Sequence, residues 1–206
     1  IKNSNSNIRA LSYQLYENNG VVKRENVQNI VKKMSQENRK VLREIGVKFG
    51  RYHIFLFKLF KPNAVSLRIL LWKNFKQIEK SLEPPTFGLN FVKDINSTDK
   101  EFMLLCGFEK FNDAFVRIDI LERLFIHIIK NNLENNQEVK LVPEMLNLLG
   151  CNKENFLKLI KNMNYKLFEK NNETYFKYNP RKINYRQKNK FNSDNPFNVL
   201  NQINFD

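Results

Sequence analysis

Apolar residues recur along the first part of the chain at helical spacing. Ile8, Leu11 and Leu15 mark one face, and Gly20 follows as a helix stop. Val27, Ile30, Val31 and Met34 mark a second face. Val41, Leu42 and Ile45 mark a third, closed by Gly46. Pro62 suits the first turn of another helix, with Ala64, Leu67, Leu71 and Phe75 along one side. Between these lies the run from Val47 to Phe57, whose period fits a buried helix or a short strand equally well. From Glu79 to Phe102 the pattern fades, and Pro84-Pro85 marks a turn and a boundary.

The second part alternates more clearly. Asp119 followed by Glu122 resembles a capping box, and Leu121, Leu124, Phe125, Ile128 and Ile129 form the helix face behind it. Val139-Lys140-Leu141 suits a short strand. Pro143 opens a second helix carrying Met145, Leu146 and Leu149, and Gly150 ends it. Asn152 can cap a third helix with Phe156, Leu159, Ile160 and Met163. Tyr165–Lys170 and Thr174–Tyr178 then form β-prone arms around Asn171-Asn172. Three short helices, a strand after the first and a terminal hairpin describe a winged helix; the bland alternative is a helical bundle. The expected fold is mainly α. A basic helical region spans 1–83, a connector 84–116, a winged-helix-like α+β module 117–179, and a disordered basic tail 180–206.

Composition narrows the chemistry. The 206 residues are 42% hydrophobic and 27% charged, enough for a packed core. Two cysteines, Cys106 and Cys151, and two histidines, His53 and His127, leave little for a zinc cluster or a disulfide framework. No run of ~18 uncharged apolar residues predicts a membrane span. The net charge of +14 favours an acidic partner, nucleic acid or an anionic surface. The chain is crowded with Asn, Lys, Ile and Phe, the residues an AT-rich genome favours, and such codon bias adds Lys, so the position of the charge matters more than its sum. Residues 23–76 hold fourteen Lys or Arg against three Glu, whereas 77–116 are net acidic. Within 23–76, Lys48, Arg51, Lys58, Lys61 and Arg68 interleave with Phe49, Tyr52, Phe55 and Trp72. Cations can neutralise phosphates, and Phe49 and Tyr52 either stack on unpaired bases or belong to the core with only the cations facing out. Phe55, Phe57 and Trp72 read mostly as core. Lys153, Lys158 and Lys161 lie on the third helix of the 117–179 module, where such modules touch DNA when they do.

Catalytic signatures are missing from this stretch. It has no phosphate-binding P-loop, no dinucleotide glycine fingerprint and no nucleophile elbow. Asp119 and Glu122 read as helix caps rather than an acid/base pair. His53 reads as structural or as a phosphate contact, and His127 as a partly buried histidine on an apolar stripe. Both cysteines read as small buried residues. In the tail, Pro196, Phe197, Val199 and Leu200 form an apolar cluster suited to docking.

Three blocks carry a family resemblance. The first is Val41 to Leu56, followed by Leu59-Phe60-Lys61-Pro62 and Leu70-Leu71-Trp72. The second is Val116-Arg117-Ile118-Asp119-Ile120-Leu121-Glu122-Arg123-Leu124. The third is Pro143-Glu144-Met145, Leu148 to Cys151, Phe156 and Asn164-Tyr165. In this order they resemble the C-terminal region of alphaproteobacterial superfamily 2 DExH helicases related to the mitochondrial degradosome (Suv-type) helicase, as does the basic tail. Phe57 departs from the proline usual there, and Asn152 from a capping serine. The resemblance implies a cytoplasmic parent protein that couples ATP hydrolysis, with Mg, to unwinding of RNA or DNA. Its motor would lie upstream of Ile1. This stretch would bind neither ATP nor Mg, would be non-catalytic by itself, and would hold nucleic acid or dock a nuclease or degradosome partner. The alternatives are a stand-alone winged-helix DNA-binding regulator and a protein-interaction scaffold with a basic surface.

Overall fold

A computed structural model describes residues 6–78, 82–94, 99–134 and 138–179. The architecture is mixed α+β rather than mainly α, because all three parts of the chain carry a small antiparallel sheet. The expected tail 180–206, with Pro196, Phe197, Val199 and Leu200, lies outside the described residues.

The first unit runs α1 (Ser6–Glu17), β1 (Val21–Lys23), α2 (Gln28–Lys33), α3 (Gln36–Glu44), β2 (Val47–Phe49) and β3 (His53–Leu56), with a 3-10 turn before α2. Its helices fall where the periodicity places them. The Ser35 hydroxyl caps α3 by accepting from the Asn38 amide at 3.3 Å. The ambiguous run 47–57 forms two strands and a turn. Val47 and Ile54 enter the core with Leu11, Leu15, Val22, Val27, Val31 and Leu42. Val41 and Ile45, expected on the inner face of α3, are about half exposed.

The second unit was not legible in the sequence. It takes α4 (Pro62–Lys76) together with β4 (Phe91–Lys93), α5 (Lys100–Leu105), β5 (Phe108–Phe111) and β6 (Ala114–Arg117). The stretch 84–116 therefore contributes strands and a helix to a core rather than serving only as a connector. That core gathers Val65, Ile69, Trp72, Phe102, Leu105, Phe108 and Phe115. Leu67, Leu71 and Phe75 of the expected α4 face point instead to solvent, at 56%, 59% and 84% exposure.

The third unit matches the expected elements: α6 (Ile118–Glu134), β7 (Glu138–Lys140), α7 (Pro143–Leu149), α8 (Lys153–Asn162), β8 (Tyr165–Lys170) and β9 (Glu173–Tyr178). Asn152 Oδ1 caps α8 through the Asn155 amide at 2.9 Å. Gly150 ends α7 with φ +66°. Asn171 and Asn172 turn the hairpin with φ +52° and +59°, the positive pair that a tight two-residue turn needs. Start signals at Asp119 and Glu122 are corrected. Arg117 holds Asp119 in a two-point pair at 3.0 and 2.7 Å, and Glu122 reaches across to the first unit.

The sheet strand orders are β1-β3-β2, β4-β6-β5 and β7-β9-β8, so each unit places its last strand in the middle. The chain thus repeats one plan three times: a helix, an edge strand, one or more helices, then a hairpin. In the second unit one helix, α5, stands where the other two have a pair among the described residues.

Two contacts help to seal the first unit to its neighbours, besides that of Glu122. Val21 and Phe55 meet Ile118, with Phe60 and Leu104 alongside, and the Phe55 and Phe60 rings stack 5.1 Å apart. Arg68 on α4 donates to the carbonyls of Leu105 at 2.9 Å, Leu59 at 3.3 Å and Asn19. Burial lowers its pKa below the usual guanidinium range, but arginine still carries its charge at neutral pH. Replacing Arg68 by Met removes donors from three carbonyls, which costs about 2–3 kcal/mol. In a chain of this size that lowers the thermal midpoint by roughly 4–10 °C. Arg68→Lys, lacking the planar fork, restores only part of it. Circular-dichroism melts check both; unchanged midpoints contradict this role of Arg68.

Candidate nucleic-acid interface

The turn between β2 and β3 is the best-organised polar feature of the described residues. Gly50, Arg51, Tyr52 and His53 wrap around the carboxylate of Glu122, which is 5% exposed. The Tyr52 and His53 amides donate to Oε1 at 2.9 and 2.7 Å, and the Arg51 amide donates to Oε2. Gly50 allows the approach: a Cβ there would lie 2.3 Å from the Glu122 carboxyl carbon and 2.7 Å from the His53 carbonyl. Arg24 braces the turn from outside, donating to the Gly50 carbonyl at 2.6 Å.

His53 extends this contact into the second unit. It is 3% exposed. Its Nδ1 lies 3.2 Å from Glu122 Oε1 and its Nε2 3.5 Å from Glu109 Oε2 on β5. Glu109 in turn pairs with Lys23 at 2.9 Å. Burial is the strongest single influence on His53 and opposes its charge, but the polar contacts and charges of Glu109 and Glu122 outweigh it, and its pKa rises above 6.5. For Glu109 burial likewise opposes ionisation, and His53 and Lys23 outweigh it, so its pKa falls below 4.5. The His53 Nδ1 is within hydrogen-bond reach of Glu122, whereas the buried Nε2 faces Glu109 at ion-pair distance without a hydrogen bond. Lys23, His53, Glu109 and Glu122 therefore join all three units.

Above this node opens a cleft of about 340 Å³, lined by Lys23, Arg24, Arg51, Glu109, Phe111 and Tyr178 among others. Its rim is basic and its floor carries Glu109. The Arg51 guanidinium lies over the Tyr178 ring, 5.6 Å from the centroid.

The sequence-derived site residues separate into distinct settings. Lys48 projects from the sheet-edge strand β2. Lys58 packs its stem over Gly46, and Lys61 follows it in the chain; all three lysines are exposed and none forms an ion pair among the described residues. Arg51 is exposed at the cleft rim. Phe49 is half-buried against the first core, under the Arg43 guanidinium at 5.6 Å. Tyr52 is half-buried against the core of the third unit, its ring 4.4 Å from that of Phe125, and it also lines the cleft. Arg68 is engaged by three carbonyls. Lys153 and Lys161 are exposed on α8. Lys158 pairs with Glu154 at 2.8 Å and lines a second cleft, of about 140 Å³, against Lys93, Phe111 and Asp113 of the second unit. Lys158 is about half exposed at that cleft. Sequence reasoning missed Lys23, Arg24 and Glu109; only their place in the fold brings them to the cleft.

The remaining candidates carry no chemistry. His127 is exposed rather than partly buried. Phe57, read as core, is 40% exposed, whereas Phe55 and Trp72 are buried. Cys106 is buried and Cys151 half-buried, and burial pushes their thiols up to about 12 and about 11, far from a reactive thiolate. Among the described residues no group of His, Cys, Asp and Glu is arranged to hold a metal ion, and no helix is long and apolar enough to cross a membrane. Compared with protein-family models, curated proteins and solved structures, the chain matches none.

Two outcomes check the node. Glu122→Ala strands three amide donors and His53, at a cost of about 3–5 kcal/mol in chemical denaturation; a change under about 1 kcal/mol contradicts the node. The pH dependence has a worked sign. His53, with its raised pKa, contributes stability that is complete below 6.5 and is lost as pH rises through its higher folded value. Glu109, with its lowered pKa, contributes stability that is present above 4.5 and is lost as pH falls through its lower folded value. Thermal midpoints of the wild type therefore fall on the alkaline side of 6.5 more steeply than those of His53→Gln. Parallel profiles refute the pairing.

Proposed function

We propose that this chain is a non-catalytic accessory region of an ATP-dependent RNA/DNA helicase, which holds nucleic acid while a motor encoded elsewhere in the parent protein supplies the work. The observation that carries the reading is a set of three exposed lysines, Lys48 on the edge strand β2, Lys58 in the 57–60 turn after β3 and Lys61 at the start of α4, with no carboxylate paired to them among the described residues. Exposed cations without a carboxylate partner are available to phosphates, and counterion release drives such binding. Arg51, at the rim of the cleft, adds a further exposed cation towards the third unit.

Two further features support it. Blocks 41–56 and 116–124, which carry the helicase resemblance, meet each other through Glu122 and the 50–53 turn. The repeated helix–strand–helix–hairpin plan, with its last strand in the middle, is the plan of a winged helix. In this reading the three units form one platform rather than three separate readers. A stand-alone regulator that inserts α8 into a major groove fits less well, because Lys158 faces the second unit.

Titration of labelled single strands and duplexes of RNA and DNA at two salt concentrations tests the reading. Lys48→Glu combined with Lys58→Glu and Lys61→Glu weakens binding at least about tenfold. It also lowers the salt slope by roughly 2, at about 0.7 for each phosphate left unneutralised on a single strand. An unchanged affinity and slope overturn it.

A further inference from the structure

Helix α4 has two apolar faces. Val65, Ile69 and Trp72 point into the second core, where the Trp72 indole also donates to Glu101 at 3.1 Å. On the opposite side Leu67, Leu70, Leu71 and Phe75 are 56%, 65%, 59% and 84% exposed. Single exposed leucines are ordinary, but four large apolar residues on one helix face mark a contact surface. A helix apolar on all sides is normally covered on all sides. Lys73 stands beside Leu70 along one flank of this face.

The chain contains a segment of matching chemistry. Residues 193–206 carry Phe197, Val199, Leu200, Ile203 and Phe205, two aspartates, and no Lys or Arg, in a protein whose net charge is +14. An acidic, apolar stretch in a basic chain complements an apolar face flanked by lysine. The connection allows it: residues 180–195 between the last described strand and Pro196 reach at most about 55 Å. A domain of this size has a radius of gyration of about 17 Å, by the usual scaling with length. Tethering also holds such a segment at an effective concentration of about a millimolar, so a modest contact suffices.

We propose that segment 193–206 docks on the exposed α4 face of the same chain, with Phe197 and Leu200 against Leu67, Leu71 and Phe75, and Asp194 or Asp206 towards Lys73. This contact does not depend on nucleic-acid binding, and its failure would leave Lys48, Lys58 and Lys61 untouched.

Photochemical cross-linking of the full chain tests it. p-Benzoylphenylalanine replaces Phe197, and peptide mapping follows irradiation of dilute protein. The expected result is a cross-link within one chain, concentrated on residues 67–75. Leu71→Asp, at a solvent-exposed position, reduces it about tenfold or more, in line with removing one leucine side chain from a buried contact. Leu200→Asp gives the same reduction without altering α4, which keeps the test decisive if the helix variant folds poorly. Cross-links that join two chains show that a second copy covers the face and overturn the proposal. Cross-links elsewhere on the chain, or none above background, overturn it equally.

Discussion

The structure depends on one buried carboxylate. Glu122 leaves α6 of the third unit and fills the concavity of a turn in the first, where successive backbone N–H groups converge on it. A carboxylate removed from water is costly unless its oxygens are fully bonded. Here three amides and the His53 ring meet it, and Gly50 removes the one Cβ that would block its entry. The same carboxylate helps raise the pKa of His53, whose ring brings Glu109 of the second unit to the junction. Any change that withdraws Glu122 leaves charge and donors stranded on all three units at once. The apolar seam of Val21, Phe55 and Ile118 adds area to this junction but little direction.

This arrangement decides which parts of the basic segment can meet a partner. The β2–β3 turn, the tip of the first sheet, is closed by Glu122 and turns only the Arg51 side chain outward. Tyr52 packs against the third core and Arg68 goes into the interior, so two of the residues with the most attractive chemistry for stacking and phosphate contact hold the units together instead. What remains outside is Lys48 on the edge strand β2, with Lys58 and Lys61 in the turn that leads into α4. A lysine on an edge strand also discourages pairing with another sheet, so Lys48 has a structural use even without a ligand. That none of the three is paired to a carboxylate among the described residues is what favours the phosphate reading.

How much of this the sequence disclosed follows from the range of each interaction. Caps and turns were legible because their chemistry is local: Asn152 at the start of α8, Gly150 after α7, and the Asn171-Asn172 pair all sit where their side chains or φ angles require. The second unit was not. Its strands are three or four residues long, too short to show a period, and α4 offered two apolar stripes of which the exposed one was the more regular in sequence. Glu122 was misread for a related reason. Three residues after Asp119 it imitates a capping partner, yet β6 runs straight into α6 at Ile118, leaving no free helix entrance for it to cap. His53 and Glu109 lie far apart in sequence and meet only because the units fold against one another.

Native-state amide exchange at Arg51, Tyr52 and His53 tests the central claim most directly. If the Glu122 carboxylate locks the three units together, these turn amides exchange only through global unfolding, with the same free energy as the core strands and the same denaturant dependence. Exchange of these three amides within minutes, at rates typical of an exposed loop, would show that the carboxylate does not hold the turn and that the units are not locked to one another.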